Sequence, residues 1–368
     1  MPRSGSLTLE QVAALRLAAQ RVSGKGFTRP DQVVGWLGAV QAQDYLGALW
    51  AVGLRMGVAR EADVERAVTE RTIVRTWPMR GTLHFVAARD VRWMTDLLAP
   101  RVVSRAAGRL QSLGLDDAIL ARARRALEKA LEGGPLARPA VYEALERARV
   151  GTAGQRGIHV LWRLAHDGVV CFGPRAGKQH TFVLLEAWVP RAERLSRDEA
   201  LGELVVRYVS GHGPATTADF AWWSGLNLSD ARRAVQVAGR RLRREVIDGR
   251  EHWCDPRVAR PRPADRPARS AQPEAFLLPA FDELLVGFAD RSAVLDPGLS
   301  RRVNTGGGIF FPVMLSAGRV VGTWKRRLSR AGATFVPSPF AHLDAPTRAA
   351  LHVAFSRYAA FLRPQQGR

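Results

Sequence analysis

The chain is 368 residues long, 46% hydrophobic and 24% charged, an ordinary globular composition with room for two or three domains. No stretch approaches the roughly 20 apolar residues of a membrane span, and the amino-terminal "MPRSGSLTLEQ" lacks the apolar core of a secretory signal. Net charge is +21, and all but four of the 55 basic residues (Lys25, Lys129, Lys178 and Lys325) are arginine; this excess points to a polyanion held by paired guanidinium donors and counterion release.

Three stretches repeat one order of elements: a helix, two shorter helices, then two strands. In the first, "LTLEQVAALRLAAQRV" (7–22) reads as an amphipathic helix with Thr8 as N-cap and Glu10–Gln11 in its first turn. "RPDQVVGWLGAV" (29–40), "YLGALWAVGLRM" (45–56) and "EADVERAVTERT" (61–72) continue as helices, and "IVRTWPMRGTLHFV" (73–86) alternates like a hairpin with Gly81 near its turn. The second stretch has helices over 116–134, 136–150 and 154–168 and a hairpin over 169–185 with a Gly/Pro-rich tip. The third has helices over 197–213, 215–225 and 227–240 and a hairpin over 242–255 turning at Asp248–Gly249. Helix, helix-turn-helix and β wing is the winged-helix plan, whose second helix of the turn enters the DNA major groove.

The expected domains are therefore winged helices over 1–98, 99–195 and 196–256, a Pro/Arg-rich linker over 257–274 and a carboxy-terminal α/β segment over 275–368. That last segment carries strands over 275–281, 308–315 and 319–326 and a closing helix over 345–362. The fold class is α+β, mainly α.

One short pattern stands apart. In "AVQAQDYLGALWAV" (39–52), Gln41 and Gln43 flank a small residue. A strand-like backbone would point both amides the same way. Two amides so placed can hold one small molecule between them, and water is the natural candidate. Asp44 beside them reads either as the N-cap of the following helix or as a carboxylate for the same water.

This "QAQ", with "RTWPMRGTLHFV" (75–86), "LLPAFDELLVGFADRS" (277–292) and "GRVVGTWKRR" (318–327), resembles the tandem winged-helix DNA glycosylases of the AlkZ and YcaQ type, and the resemblance runs nearly end to end. The second glutamine places the chain with the AlkZ-like branch, where YcaQ-like members carry aspartate. The resemblance implies three winged helices around a basic DNA channel, removal of N7-alkylated purines from double-stranded DNA and, in some members, unhooking of interstrand crosslinks.

The chemistry agrees with the residues. Hydrolysis of an N-glycosidic bond develops oxocarbenium character, for which many glycosidases use two carboxylates. An N7-alkylguanine already carries positive charge and leaves as a neutral base, so it needs a general acid less. Positioning water at the anomeric carbon remains, and a glutamine offers both a carbonyl acceptor and an amide donor. Gln41 and Gln43 are thus the candidate catalytic pair, with Asp44 and His84 as accessory candidates. Arg75 and Arg80, and Arg301, Arg302, Lys325 and Arg326 toward the carboxy terminus, are the candidate DNA contacts. The latter group reads alternatively as a solvated charge run. The resemblance puts a carboxy-terminal hairpin near the lesion.

Other features read as structure. Trp222–Trp223 suits core packing better than base stacking. "NTGGGIFFPV" (304–313) lacks the GxxxxGK[ST] spacing of a phosphate loop, and the eight histidines show no paired metal-ligand spacing, so no cofactor or metal is expected. Cys171 and Cys254 read as buried thiols of a reducing compartment. A cytoplasmic, nucleoid-associated monomer is the expectation. The rival readings are a winged-helix regulator without chemistry, which has no reason to orient a water at Gln41 and Gln43, and a resistance protein that sequesters alkylated DNA or a genotoxin without cutting.

Overall fold

The structure is a computed structural model that describes residues 7–189, 194–258, 274–329 and 332–363. Most of the expected 257–274 linker lies outside the described residues. The chain opens on α1 (Leu9–Ala19), capped by Thr8: its hydroxyl accepts from the Gln11 N–H at 3.2 Å, and the Gln11 side chain accepts from the Thr8 N–H at 2.9 Å.

Three units then share one element order. The first runs α2 (Pro30–Leu37), β1 (Val40–Gln41), α3 (Tyr45–Leu54), α4 (Glu61–Thr69), β2 (Ile73–Met79) and β3 (Thr82–Ala87). A long helix follows, α5 (Val91–Ser112). The second unit runs α6 (Asp117–Leu131), β4 (Leu136–Ala137), α7 (Arg138–Arg147), α8 (Arg156–His166), β5 (Val170–Phe172) and β6 (Thr181–Leu184), with the short α9 (Leu185–Trp188) after it. The third runs α10 (Arg197–His212), α11 (Thr217–Ser224), α12 (Leu228–Ala238), β7 (Arg243–Ile247) and β8 (Arg250–Cys254). In it an isolated bridge from Ala215 to Trp253 stands where β1 and β4 stand in the others. The segment that follows contains β9 (Ala275–Leu278), α13 (Glu283–Val286), α14 (Ser300–Val303), β10 (Val313–Ser316), β11 (Arg319–Ser329), β12 (Gly332–Pro339) and α15 (Ala345–Phe361).

The sheets tie these units together. Among the described residues, the first two hairpins merge into one six-stranded sheet, β1-β3-β2-β5-β6-β4, joined by the pairing of Arg75 with Phe172. The third hairpin stands alone, and β12-β11-β10-β9 form an antiparallel sheet at the carboxy-terminal end. α5 carries the chain unbroken through the domain boundary expected at 98–99. Its first turns bury Val91, Trp93, Met94, Leu97 and Leu98 in the same core as α10, α11 and α12. A second core joins the first unit to the carboxy-terminal segment through Trp50, Leu277, Trp324, Tyr358 and Phe361. The third belongs to the second unit. The expected strand over 308–315 begins only at Val313; before it, Phe310 makes no more than an isolated bridge to Asn304. Cys171 and Cys254 are both buried and are not joined in a disulfide. Among the described residues no helix is long and apolar enough to cross a membrane.

Candidate active site

Gln41 ends β1, opposite His84 on β3. It is held from both ends. Its backbone N–H donates to Glu283 Oε1 at 3.0 Å, and its side-chain Oε1 accepts from Arg80 Nη2 at 3.0 Å. Arg80 reaches it because the β2–β3 loop is a two-residue turn, Arg80–Gly81, with φ of +55° and +72°. Positive φ at both central residues is the hairpin turn whose twist matches the strands. Gly81 accommodates it freely, while Arg80 adopts a conformation uncommon for a side-chain-bearing residue.

Gln43 takes a different environment. The ladder continues one residue past β1, with the Ala42 N–H donating to the Leu83 carbonyl at 2.7 Å, and the chain then turns away. Gln43 is exposed and does not line the cleft that Gln41 lines. Its Oε1 accepts from the Leu83 N–H at 2.9 Å. Both amide carbonyls are therefore pinned by donors of the same hairpin, and each keeps a second lone pair. Ala42 between them is fully buried. Asp44 is the N-cap of α3, accepting from the Gly47 N–H at 3.2 Å.

Arg75 is buried and faces inward. Its Nε and Nη2 both donate to the Ala42 carbonyl, at 3.2 and 2.9 Å, and its guanidinium lies over the rings of Tyr45 and Phe172. It fixes the backbone between the two glutamines, a place from which it does not reach a phosphate. His84 is fully buried, with Nδ1 2.9 Å from the Thr82 carbonyl and Nε2 3.1 Å from Arg80 Nη2. Burial, reinforced by the Arg80 charge, pushes its pKa down to about 3. At neutral pH it is thus an uncharged imidazole that donates to Thr82 and accepts from Arg80.

Sequence reasoning missed Glu283. This fully buried carboxylate opens α13 and meets three groups from different parts of the chain: the Gln41 N–H and the Trp223 indole N–H at 3.0 Å, which donate to it, and His212 Nε2 at 3.4 Å. Burial raises its pKa, but the His212 hydrogen bond and the charges of His212 and Arg80 outweigh that and hold it below the usual carboxylate range. Its neighbour Asp282 forms a bidentate pair with Arg55 at 2.8 and 2.9 Å, both side chains fully buried. The signal in the sequence was two consecutive acids inside the apolar run "LLPAFDELLVGF".

Gln41 and Arg80 line a cleft of about 540 Å³. Its far wall is apolar: Ala218, Ala221 and Trp222 of α11, Leu226, Leu228, Val286, Ala289 and Phe310. No Asp, Glu or His lines it among the described residues. Trp222 is 50% exposed, whereas Trp223 is fully buried, so the tryptophan pair divides between cleft and core. Arg291 lies over the rings of both Trp222 and Phe310, at 5.3 and 5.0 Å. A second cleft, of about 390 Å³, adjoins the first through Arg80, Arg105 and Gly225. It is lined by Arg101, Arg105 and Arg109, four residues apart on one face of α5, with His159 and Trp162 of α8 opposite. Gly225 is where the units meet: its φ is +74°, a Cβ there would stand 3.1 Å from Arg80 Cγ, and its carbonyl accepts from Arg101 Nε at 3.1 Å.

The carboxy-terminal basic residues lie apart from this site. Arg302 donates to the Phe340 carbonyl at 3.3 Å and covers the Phe340 ring, and Arg326 donates to the Tyr358 hydroxyl; Arg301 and Lys325 are exposed. None of the four lines either cleft. The glycines 306–308 all have positive φ, and Gly308 borders the first cleft. Among the described residues no group of three or more His, Cys, Asp or Glu is arranged to hold a metal ion.

Comparison with known proteins adds three findings. The family model for AlkZ-like DNA glycosylases matches residues 34–361. The interstrand DNA cross-link repair glycosylase of Streptomyces sahachiroi is 28% identical over 334 residues, which cover 86% of this chain and 87% of that protein. The solved structure of Streptomyces sahachiroi DNA glycosylase AlkZ superposes with a TM-score of 0.78 at 25% identity, over 97% of each chain.

Proposed function

We propose, from the premise that this chain belongs to the AlkZ-like DNA glycosylase family, that it hydrolyses the N-glycosidic bond of N7-alkylated purines in double-stranded DNA, with Gln41 and Gln43 positioning the water. The chain is a DNA glycosylase, a hydrolase of N-glycosyl bonds. The observation that carries the choice of lesion is the lining of the Gln41 cleft, which among the described residues offers amide, hydroxyl, guanidinium and apolar groups but no carboxylic acid. A neutral base leaves poorly without a proton donor. A cationic N7-alkylpurine leaves as a neutral molecule without one.

In this reading the water hydrogen-bonds to the free lone pairs of Gln41 Oε1 and Gln43 Oε1, its oxygen bonds to the anomeric carbon as the C–N bond breaks, and its surplus proton passes to bulk water, since an amide is too weak a base to take it. Those amides are already oriented by Arg80 and by the Leu83 N–H, so little reorganisation accompanies the reaction. His84 keeps Arg80 in place as a neutral acceptor, and Arg75 holds the peptide between the glutamines. The arginine face of α5 lies along the phosphate backbone, and Trp222 offers an aromatic face beside the reacting nucleotide.

The three repeated units act as winged helices around this channel, and the enzyme works as a monomer on nucleoid DNA in the cytoplasm. The name of the Streptomyces sahachiroi relative supports interstrand crosslinks among the substrates. The test is lesion choice: duplexes carrying N7-methylguanine should be depurinated, and the same duplexes carrying a neutral lesion such as uracil should not. Equal release of both would overturn the reading.

A further inference from the structure

We infer that Glu283 is a positioning residue whose buried negative charge offsets Arg80, so that positive charge can develop on the sugar beside Gln41. The inference rests on the site proposed above. Arg80 orients Gln41, because its Nη2 donates to the amide carbonyl at 3.0 Å. The same contact places a guanidinium next to the carbon where oxocarbenium character develops. Two like charges at such a distance, in a cleft with apolar walls, oppose each other strongly. An enzyme that uses an arginine here needs a nearby anion, and the cleft lining supplies none.

Glu283 supplies it from behind. Its Oε1 accepts the backbone N–H of Gln41 itself, so arginine and carboxylate grip the same residue from opposite ends. The carboxylate also keeps its charge in place. Trp223 donates its indole N–H to Oε2, and His212 Nε2 lies 3.4 Å from the same oxygen, with its ring fixed by Nδ1 at 3.0 Å from the Tyr208 carbonyl and by stacking on Tyr208 at 4.6 Å. Burial of a carboxylate without such a role is costly. Its donors come from the first unit and the third, so the charge is set only when both units and α13 are assembled.

The test uses the full-length enzyme in single-turnover release of N7-methylguanine from duplex DNA, with DNA affinity measured separately. Glu283→Gln keeps the shape and removes the charge. Its rate at saturating enzyme should fall about 10–100-fold, less than the roughly 100–1,000-fold for removing a group that touches the transition state directly, because Glu283 acts through Arg80 and Gln41. Its DNA affinity should stay the same or tighten, because the protein gains net positive charge. A purely structural role would instead weaken rate and affinity together. Glu283→Asp keeps the charge in a shorter side chain and serves if the glutamine variant does not fold; it should retain more rate than any uncharged substitution. A folded Glu283→Gln with a rate within about twofold of wild type, a loss confined to affinity, or a Glu283→Asp enzyme as slow as a Gln41→Ala control would each overturn the inference. The control separates the two ideas. A fully active Gln41→Ala enzyme defeats the proposed site, whereas an inactive one beside a normal Glu283→Gln defeats only the role of Glu283.

Discussion

Replacing Asp282 with alanine should destabilise the protein by about 3–5 kcal/mol, the cost of breaking a buried ion pair by removing one partner. The structure indicates the upper part of that range. Arg55 and Asp282 are both fully buried, joined by two hydrogen bonds at 2.8 and 2.9 Å. Among the described residues Arg55 otherwise meets only the Ala51 carbonyl and Gln20 Oε1, and its Nε has no hydrogen-bond partner, so the orphaned charge could not be satisfied locally. Asp282 also caps α13 through the Leu284 N–H at 3.0 Å, immediately before Glu283. For a chain of this size the loss corresponds to a fall in melting temperature of about 5 °C. Thermal unfolding followed by circular dichroism reads it directly. Replacing both partners with apolar residues, Arg55→Met with Asp282→Leu, should recover most of the loss, because no charge is then left buried. An Asp282→Ala protein that melts within about 2 °C of wild type would refute the reasoning.

Each alanine substitution at Arg101, Arg105 or Arg109 should lower the slope of log affinity against log salt by about 0.9 if that residue neutralises one phosphate; unchanged slopes in all three would remove α5 from the DNA path. Trp222→Ala should cost about 1–3 kcal/mol in binding lesion-containing DNA, the usual worth of one stacked base; equal affinity of the two proteins would leave Trp222 without a stacking role. Acid stability follows from the histidines: His84, His166 and His180 are pushed from 6.5 down to about 3, 4 and 4, chiefly by burial. Below pH 6.5 the unfolded chain binds protons that the folded one refuses, so stability is full above that pH and falls as pH drops toward 3–4. Replacing His84 with asparagine should flatten that decline in a pH series of urea melts, and an unaltered slope would contradict a buried neutral imidazole.

Local chemistry was the legible part of the fold. The Thr8 cap, the Gly81 and Asp248–Gly249 turns and the amphipathic helices all emerge where short-range rules place them. α5 was not legible, because its apolar face ends near Pro100 and its second half is arginine-rich and exposed. β12 was hidden by Pro337 and Pro339, residues that suit an edge strand and argue against any other. The fusion of two hairpins into one sheet rests on a single long-range pairing, Arg75 with Phe172, that no local pattern announces. The site divides the same way. Gln41 and Gln43 could be named from spacing and resemblance, and so could Arg80 and His84 in the hairpin beside them. Glu283, Trp222 and the α5 arginines come to the surroundings of Gln41 from about 60 to 240 positions away, and only the fold brings them there.

The most direct test of the water clamp is base release by the Gln41→Ala, Gln43→Ala double variant on duplex DNA containing N7-methylguanine, scored by alkaline cleavage of the abasic sites. DNA affinity should remain near wild type, since neither amide carries charge, while the single-turnover rate falls by about 100-fold or more, the scale of losing an oriented nucleophile. Full turnover by the double variant would place the chemistry elsewhere and contradict the account.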